Sequence, residues 1–310
     1  MRVILEENKR LSRSLLWDMQ RRFFHQQGVN AWSAGIVPHY ITSNPFMAWS
    51  YAHVVFGWLR DVAETLDRKQ PVYIVELGAG SGRLAYHFLQ AFFSLLDTSA
   101  LRGIPVTYVL TDYAEVNLTF WQQQPQLEAW VKRGRLDFAL FDVEQDSTFS
   151  LIESGVVLGA ADLSNPLTVV ANYFFDGLTC DTFYVRDDTL YENLVSLTLS
   201  AEHADMDPGE MLSHVDVAFD LKPLPAGKLD YYTDPDLNAV LDHYRQTLDA
   251  SYVVVPTAAL ACIRLLREIS NDQMLLITAD KGFHREIDVY DTKAPTLAVH
   301  GSFSMMVNYH

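Results

Sequence analysis

Residues 72–96 read VYIVELGAGSGRLAYHFLQAFFSLL and carry the strongest structural signal of the chain. The opening VYIV is apolar and rich in β-branched side chains, which is typical of a buried strand. Glycines follow at positions 78, 80 and 82, and an apolar helical stripe comes next, formed by Leu84, Phe88, Leu89, Phe92, Leu95 and Leu96. The stretch therefore predicts a strand, a glycine turn and a helix in succession.

The same alternation recurs further along the chain. VTYVLTD (106–112), LDFALFDVE (136–144) and LTVVANYFF (167–175) read as strands, and TFWQQQPQLEAWVKRG (119–134) reads as a helix interrupted at Pro125. Strands that alternate with helices indicate a mostly parallel sheet with helices on both faces. We therefore predict an α/β fold with a Rossmann-like, doubly wound sheet.

Residues 1–70 differ from the rest, with aromatic side chains at loose helical intervals and a break between Pro38 and Pro45. We predict an N-terminal helical cap at 1–70, with a helix from Phe46 to Leu59, and a Rossmann-like domain at 71–310. An insertion at about 180–232 begins with a β ribbon, because TFYVR and LYENLVSLTL flank two aspartates.

Later segments complete the predicted domain. MLLITAD (274–280) and HGSFSMMVNYH (300–310) are predicted strands, and His300 is expected on the surface. Because an apolar strand stops three residues before His310, we expect the natural protein to continue beyond it.

Composition excludes several classes of protein. In 310 residues, 23 Lys and Arg stand against 39 Asp and Glu, a net charge of −16, so nucleic acid is not expected as a partner. No apolar run reaches the ~18 residues of a membrane span, and the amino terminus lacks a signal-peptide pattern. Two cysteines and ten unclustered histidines predict neither a disulfide framework nor a metal site. A cytoplasmic protein is expected.

The glycine turn predicts a cofactor site formed by Glu76, Gly78, Ala79, Gly80, Ser81 and Gly82. Glycines let the backbone approach a ligand closely, and the amide groups that open the next helix face an anion. A nicotinamide dinucleotide site requires Gly-x-Gly-x-x-Gly, and the third position here is Arg83. The spacing instead matches S-adenosylmethionine-dependent methyltransferases, with a dinucleotide oxidoreductase as the alternative.

Two further strand ends supply the remaining cofactor contacts. Asp112 ends VTYVLTD and is predicted to accept both ribose hydroxyls through its two carboxylate oxygens. Asp142, which follows the next strand, is predicted to accept from the adenine amino group, and the backbone amide of Val143 to donate to a ring nitrogen.

A more specific resemblance follows from ELGAGSGRLA, the ITS segment around Thr42, ANYFFDGL (171–178), the ribbon TFYVRDDTLYENL and the ending HGSFSMMVN. Together these segments resemble the MidA-like branch of the class I S-adenosylmethionine-dependent methyltransferases. That branch includes the mitochondrial assembly factor that methylates an arginine of a respiratory complex I subunit. The resemblance implies methylation of a protein, with arginine as a candidate acceptor.

One residue departs from the pattern of that family, which has Ala-Asn-Glu where this chain has Ala171-Asn172-Tyr173. A carboxylate suits an arginine methyltransferase, because it holds a guanidinium while that group loses a proton. Asp176 remains, so the resemblance supports the cofactor more strongly than the arginine substrate.

The predicted catalytic residues are Asn172, Tyr173 and Asp176, at the carboxyl edge of the sheet, where open α/β sheets bind ligands. Tyr40 and Thr42, on the predicted break, are expected to lie over the methyl donor and contact the substrate. We expect a nitrogen-directed methyltransferase acting on a protein or peptide side chain. The loss of an acid at Tyr173 keeps a second class open, a non-catalytic assembly or scaffolding factor that retains the cofactor fold.

Overall fold

The computed structural model describes residues 2–38, 40–225, 227, 229–292, 294–295, 297–299 and 302–310. In these residues the α-helices are α1 (Leu15–Gln27), α2 (Asn30–Ser33), α3 (Pro45–Val62), α4 (Arg83–Thr98), α5 (Glu115–Gln122), α6 (Pro125–Val131), α7 (Pro208–Met211), α8 (Pro235–Thr247) and α9 (Thr257–Ile269). The strands are β1 (Arg2–Lys9), β2 (Val72–Leu77), β3 (Val106–Asp112), β4 (Leu136–Leu140), β5 (Phe149–Ser150), β6 (Val157–Leu158), β7 (Leu167–Asn172), β8 (Asp181–Arg186), β9 (Thr189–Ser200), β10 (Asp216–Pro223), β11 (Ser251–Val255), β12 (Met274–Ala279), β13 (Gly282–Phe283), β14 (Leu297–Val299), β15 (Phe303–Met305) and β16 (Val307–Asn308).

The chain divides into two compact units. The Rossmann unit comprises Gln27–Phe174 and Ala261–Ala279, and the ribbon unit comprises Met1–Gln26, Phe175–Leu260 and Asp280–His310. This division differs from the predicted cap at 1–70 and insertion at about 180–232. Each unit combines segments that lie far apart in the chain, which local sequence patterns do not reveal, and the predicted domain boundaries stay a prediction.

A five-stranded sheet forms the centre of the Rossmann unit, in the order β12-β7-β2-β3-β4. All four neighbouring pairs are parallel, with Val75 of β2 opposite Val109 of β3 and Val169 of β7. Every residue of β2 is buried, as expected for an inner strand covered on both faces. The predicted Rossmann-like sheet is confirmed.

Helix α3 packs into this unit as part of its core. Asn44 caps the helix by accepting a hydrogen bond from the Met47 amide (3.0 Å), and Pro45 occupies the first turn. The buried face of α3 joins that of α4 in one apolar cluster, which includes Ala48, Ala52, Val55, Leu59, Leu84, Phe88, Leu89 and Phe92. The predicted helix from Phe46 is confirmed, but its apolar face belongs to the core of the Rossmann unit.

The sheet of the ribbon unit is antiparallel and centres on β9, which pairs with β8, β1 and β10. β8 also pairs with β11. The predicted hairpin is confirmed: Asp187 and Asp188, with φ of +49° and +56°, make its two-residue turn. Strand β1 contradicts the prediction that the amino terminus is helical, because its partners are residues 195–200 of β9.

In the described part of the predicted strand 300–310, the structure has two short strands, β15 and β16, and β14 precedes that segment. His300 and Gly301, which begin the predicted segment, lie outside the described residues. Both cysteines, Cys180 and Cys262, are buried and free. Within the described ranges, no helix has the length and apolar character needed to cross a membrane.

Candidate active site

The glycine turn lies between β2 and α4 in the Rossmann unit. Gly78, Gly80 and Gly82 have φ of +60°, +53° and +69°, the left-handed region that side chains rarely adopt. Gly82 is also the residue that precedes the first turn of α4. Backbone conformation therefore favours glycine at all three positions.

Aromatic rings pack directly on this turn. A Cβ atom at Gly78 would lie 2.6 Å from the Phe174 ring, and one at Gly80 would lie 2.8 Å from the Trp32 indole. The indole nitrogen of Trp121 donates to the Gly80 carbonyl at 2.9 Å. The turn is therefore a close-fitting aromatic cradle that leaves no room for side chains at Gly78 and Gly80.

Asp112 ends β3 beside the turn, as predicted. Its Oδ2 accepts hydrogen bonds from the Gly80 amide (3.0 Å) and from Asn117 Nδ2 (3.1 Å), and its Oδ1 accepts from the Ala114 amide (2.9 Å). A carboxylate offers about four acceptor positions, and protein donors fill at least three of them here. At most one position remains for a ligand by this count, and the binding of ribose hydroxyls by Asp112 stays a prediction.

Glu76 lies beneath the turn, with only 3% of its surface exposed. The Tyr108 hydroxyl donates to Glu76 Oε2 at 2.7 Å. Burial, with a smaller contribution from the charge of Asp112, raises the pKa of the Glu76 carboxyl to about 8, although the Tyr108 bond acts in the opposite direction. This side chain supports the turn from inside the sheet.

Asp142 and Val143 follow β4, and both are partly buried. The Asp142 carboxylate accepts from the Glu144 amide (3.0 Å) and from Gln145 Nε2 (2.9 Å), so it stabilises its own loop. The loop is held near the predicted ribose acid, because the Phe141 amide donates to the Asp112 carbonyl at 2.9 Å. Contacts of Asp142 and Val143 with adenine remain a prediction, as do contacts of Ala79 and Ser81 with the cofactor.

Asn172, the last residue of β7, connects two parts of the Rossmann unit. Its Nδ2 donates to the Thr42 carbonyl, and its Oδ1 accepts from the Tyr51 hydroxyl, both at 2.9 Å. The Thr42 contact thus involves the main chain, and contacts of Tyr40 and Thr42 with a substrate remain a prediction. Tyr40 is 74% exposed. The Thr42 bond joins Asn172 to the predicted break, and the Tyr51 bond joins it to α3.

Tyr173 adopts φ of +51°, which is uncommon for a bulky residue. Its amide donates to the Ala279 carbonyl at 2.7 Å, which ties the end of β7 to the end of β12. The ring is 43% exposed. Unusual backbone geometry of this kind is concentrated at functional sites, so Tyr173 remains a candidate.

Asp176 belongs to the ribbon unit, and a second carboxyl lies next to it. Asp176 forms side-chain hydrogen bonds with Asp280 and Ser304, and Lys281 lies nearby. The Tyr309 hydroxyl donates to Asp280 Oδ2 at 3.3 Å. Burial is the main cause that raises the pKa of both carboxyls, and for Asp280 the neighbouring charge of Asp176 adds to it. The two carboxyls therefore keep a shared proton to a higher pH than an ordinary aspartate would.

Sequence reasoning missed several residues of these sites. Asp280 ends the predicted strand MLLITAD just as Asp112 ends VTYVLTD, so the same strand-end rule could have found it. Trp32, Tyr51 and Asn117 lie in helices, and their sequence contexts give no comparable signal. In the described part of the chain, no three His, Cys, Asp or Glu side chains are grouped as metal ligands would be.

The residues present fit an adenosyl cofactor. Three glycines in left-handed conformations lead the chain from β2 into the start of α4, and Asp112 offers a carboxylate at the adjacent strand end. Beside it, the buried Oδ1 of Asn117 has no hydrogen-bond partner among the described residues. An adenosyl group carries hydroxyl and amino donors that such acceptors can bind.

Comparisons with known proteins agree with this geometry. A family model described as "Putative S-adenosyl-L-methionine-dependent methyltransferase" matches residues 55–302. A curated relative, the highly reducing polyketide synthase pks5 of Leptosphaeria maculans, is 30% identical over 131 residues, which are 42% of this chain and 5% of that protein. The chain therefore matches only a small part of the length of that relative.

Two solved structures from Burkholderia thailandensis, both of one superfamily, are similar to this chain. An uncharacterized member has a TM-score of 0.52 and 16% identity, covering 95% of this chain and 68% of its own. A member bound to S-adenosyl-homocysteine has a TM-score of 0.49 and 15% identity, covering 95% and 75%. The first likeness concerns the fold alone. Because the family model covers well over half of the residues, this chain belongs to the family of S-adenosyl-L-methionine-dependent methyltransferases.

Proposed function

We propose that this chain is a nitrogen-directed protein methyltransferase of the MidA-like kind, which acts on arginine or another cationic side chain. The observation that carries the proposal is the pair formed by Asp176 and Asp280. Tyr173 occupies the position where the resembling family has an acid, and Asp280 supplies a second carboxyl next to Asp176. A carboxyl pair of this kind can attract a cationic nitrogen and accept a proton from it.

The proposed chemistry is a displacement at carbon. S-Adenosylmethionine, when bound, supplies an electrophilic methyl group on sulfur. The acceptor nitrogen gives its lone pair to the methyl carbon, the bond from that carbon to sulfur breaks with its electron pair, and the nitrogen loses a proton. Asp176 and Asp280 accept that proton, because their raised pKa values bring proton exchange closer to neutral pH.

A surface of the Rossmann unit supports a protein acceptor. Tyr40, Ile41 and Phe46 are each at least 70% exposed, and Trp49 is 52% exposed. The Phe46 and Trp49 rings stack with centroids 6.3 Å apart, so these two side chains form an exposed aromatic surface at the start of α3. Exposed apolar groups of this kind favour contact with another protein.

We also propose a cytoplasmic location and a protein or peptide partner. Two free, buried cysteines support a reducing compartment. The net charge of −16 favours a cationic acceptor over an anionic one.

The experiment incubates the protein with methyl-labelled S-adenosylmethionine and a library of cationic peptides, and locates the label by mass spectrometry. We expect the label on nitrogen. Asp176→Asn keeps the shape but removes the charge, so it should lower methyl transfer at least tenfold and leave S-adenosylhomocysteine affinity nearly unchanged. Asp18→Asn is the control, because it removes an exposed acid of the same unit, paired with Arg22 at 2.9 Å.

Two results would contradict the proposal. Label on oxygen or carbon would show that the acceptor class is wrong. Parental turnover by Asp176→Asn would show that the carboxyl pair has no part in the reaction. Intact cofactor binding without any turnover would instead support the scaffolding alternative.

A further inference from the structure

The side-chain amide of Asn117 is buried. Its nitrogen is hydrogen-bonded, whereas its oxygen has no hydrogen-bond partner among the described residues. Its side chain is 0% exposed, and Nδ2 donates to Asp112 Oδ2 at 3.1 Å. Only the nitrogen can donate to a carboxylate, so this bond fixes the orientation of the amide. Oδ1 therefore faces away from Asp112, and it has no hydrogen-bond partner in the part of the chain that the structure describes.

The unsatisfied oxygen lies among the residues that surround the glycine turn. A Cβ atom at Gly28 would lie 3.4 Å from Asn117 Oδ1 and 2.7 Å from a methyl carbon of Val116. Gly28 has φ of +49°, and four residues later Trp32 packs on Gly80. One end of the segment 28–32 is therefore close to this oxygen, and the other end is close to the turn.

A buried acceptor without a donor is uncommon in folded proteins, because burial removes it from water without replacing the lost bond. We propose that Asn117 is a cofactor-binding residue whose Oδ1 accepts one ribose hydroxyl of S-adenosylmethionine while Asp112 accepts the other. This inference rests on the cofactor of the family and is independent of the acceptor chemistry proposed above.

The ribose is the part of the cofactor that matches this pair of acceptors. A ribose diol presents two hydroxyl donors on neighbouring carbons, and at least three of the roughly four acceptor positions of Asp112 are filled by protein donors. Asn117 is hydrogen-bonded to that carboxylate, so its Oδ1 supplies the second acceptor close by. One carboxylate and one amide oxygen together satisfy both hydroxyls.

Calorimetry with three ligands tests the assignment: S-adenosylhomocysteine and its 2′-deoxy and 3′-deoxy analogues. The parental protein should bind each analogue about tenfold more weakly than the parent ligand, the effect of one lost hydrogen bond. Asn117→Leu should lose about tenfold for the parent ligand and no longer distinguish it from one analogue, while the penalty for the other analogue persists. Thr168→Val is the matched control, because it removes another fully buried, unpartnered oxygen of the Rossmann unit, within β7, and should bind all three ligands as the parental protein does.

The outcomes separate this inference from the proposed function. Asn117→Leu with both penalties intact, or with both reduced equally, would overturn the direct contact, because the amide would then act only through Asp112 or through water. Absence of S-adenosylhomocysteine binding to the parental protein would overturn the cofactor assignment itself. Label found on carbon or oxygen in the peptide assay would leave the Asn117 result untouched.

A measurement on the parental protein covers the case in which Asn117→Leu does not fold. With asparagine labelled by ¹³C at the side-chain carbonyl, we expect one resonance to shift on binding S-adenosylhomocysteine and one deoxy analogue, but not the other analogue. If every asparagine carbonyl responds identically to the two analogues, the inference is wrong.

Discussion

Replacing Glu76 by glutamine tests the buried carboxyl beneath the glycine turn. In the folded protein, burial raises the pKa of Glu76 from 4.5 to about 8. Between these values the native protein holds a proton that the unfolded chain has released. The free energy of unfolding therefore falls as the pH rises from about 4.5 to 8, because unfolding is favoured wherever the native state binds the extra proton.

The size of the effect follows from the two pKa values. Each pH unit in this window costs about 1.4 kcal/mol, so the Glu76 carboxyl lowers the stability by roughly 5 kcal/mol between pH 4.5 and pH 8. Glutamine has no proton to lose, and its amide oxygen can still accept from the Tyr108 hydroxyl. Glu76→Gln should match the parental stability within about 1 kcal/mol near pH 4.5 and exceed it increasingly up to pH 8.

Urea unfolding of both proteins across this pH range provides the measurement. The Asp176 and Asp280 carboxyls add a slope of the same sign to both proteins, which cancels in the difference. Tyr108→Phe is the companion variant: it removes the hydroxyl that lowers the pKa of Glu76, so the loss of stability should extend to a higher pH. Parallel stability curves for Glu76→Gln and the parental protein would refute the reasoning.

Three further substitutions and one control variant test the Rossmann unit. Asp112→Ala should weaken S-adenosylhomocysteine binding by about 1.5–3 kcal/mol in calorimetry, because it removes one charge-assisted hydrogen bond to the ribose; unchanged affinity, or tighter binding of NAD, would contradict the assignment. Gly80→Ala should lower the free energy of unfolding by at least 1–2 kcal/mol, roughly the cost of a left-handed residue, since φ is +53° and the new Cβ would lie 2.8 Å from an indole. Gly103→Ala has open space around it, so its unfolding midpoint should stay the same or rise. Tyr51→Phe removes the hydroxyl donor of Asn172, so amide exchange at residues 40–44 should become faster; unchanged exchange would show that this bond does not hold the loop.

The sequence alone was sufficient for the Rossmann-like sheet and for the class of cofactor. Strand and helix periods are local properties of the chain, and the turn at Gly78, Gly80 and Gly82 needs glycine for reasons of backbone conformation. The position of Asp112 at the end of β3 was also predictable, because an acid that closes an apolar run is a local signal. The family match at residues 55–302 confirms the methyltransferase prediction.

Only the tertiary structure revealed the features that depend on contacts between distant residues or on burial. Strand β1 forms only because it pairs with the end of β9, and Asp176 gains a second carboxyl from Asp280, 104 positions later. Asn117 is five residues from Asp112, but only folding buries its amide and leaves Oδ1 without a partner. Periodicity records which face of an element is apolar, whereas pairing, burial and shared protons arise from contacts that the local sequence does not encode.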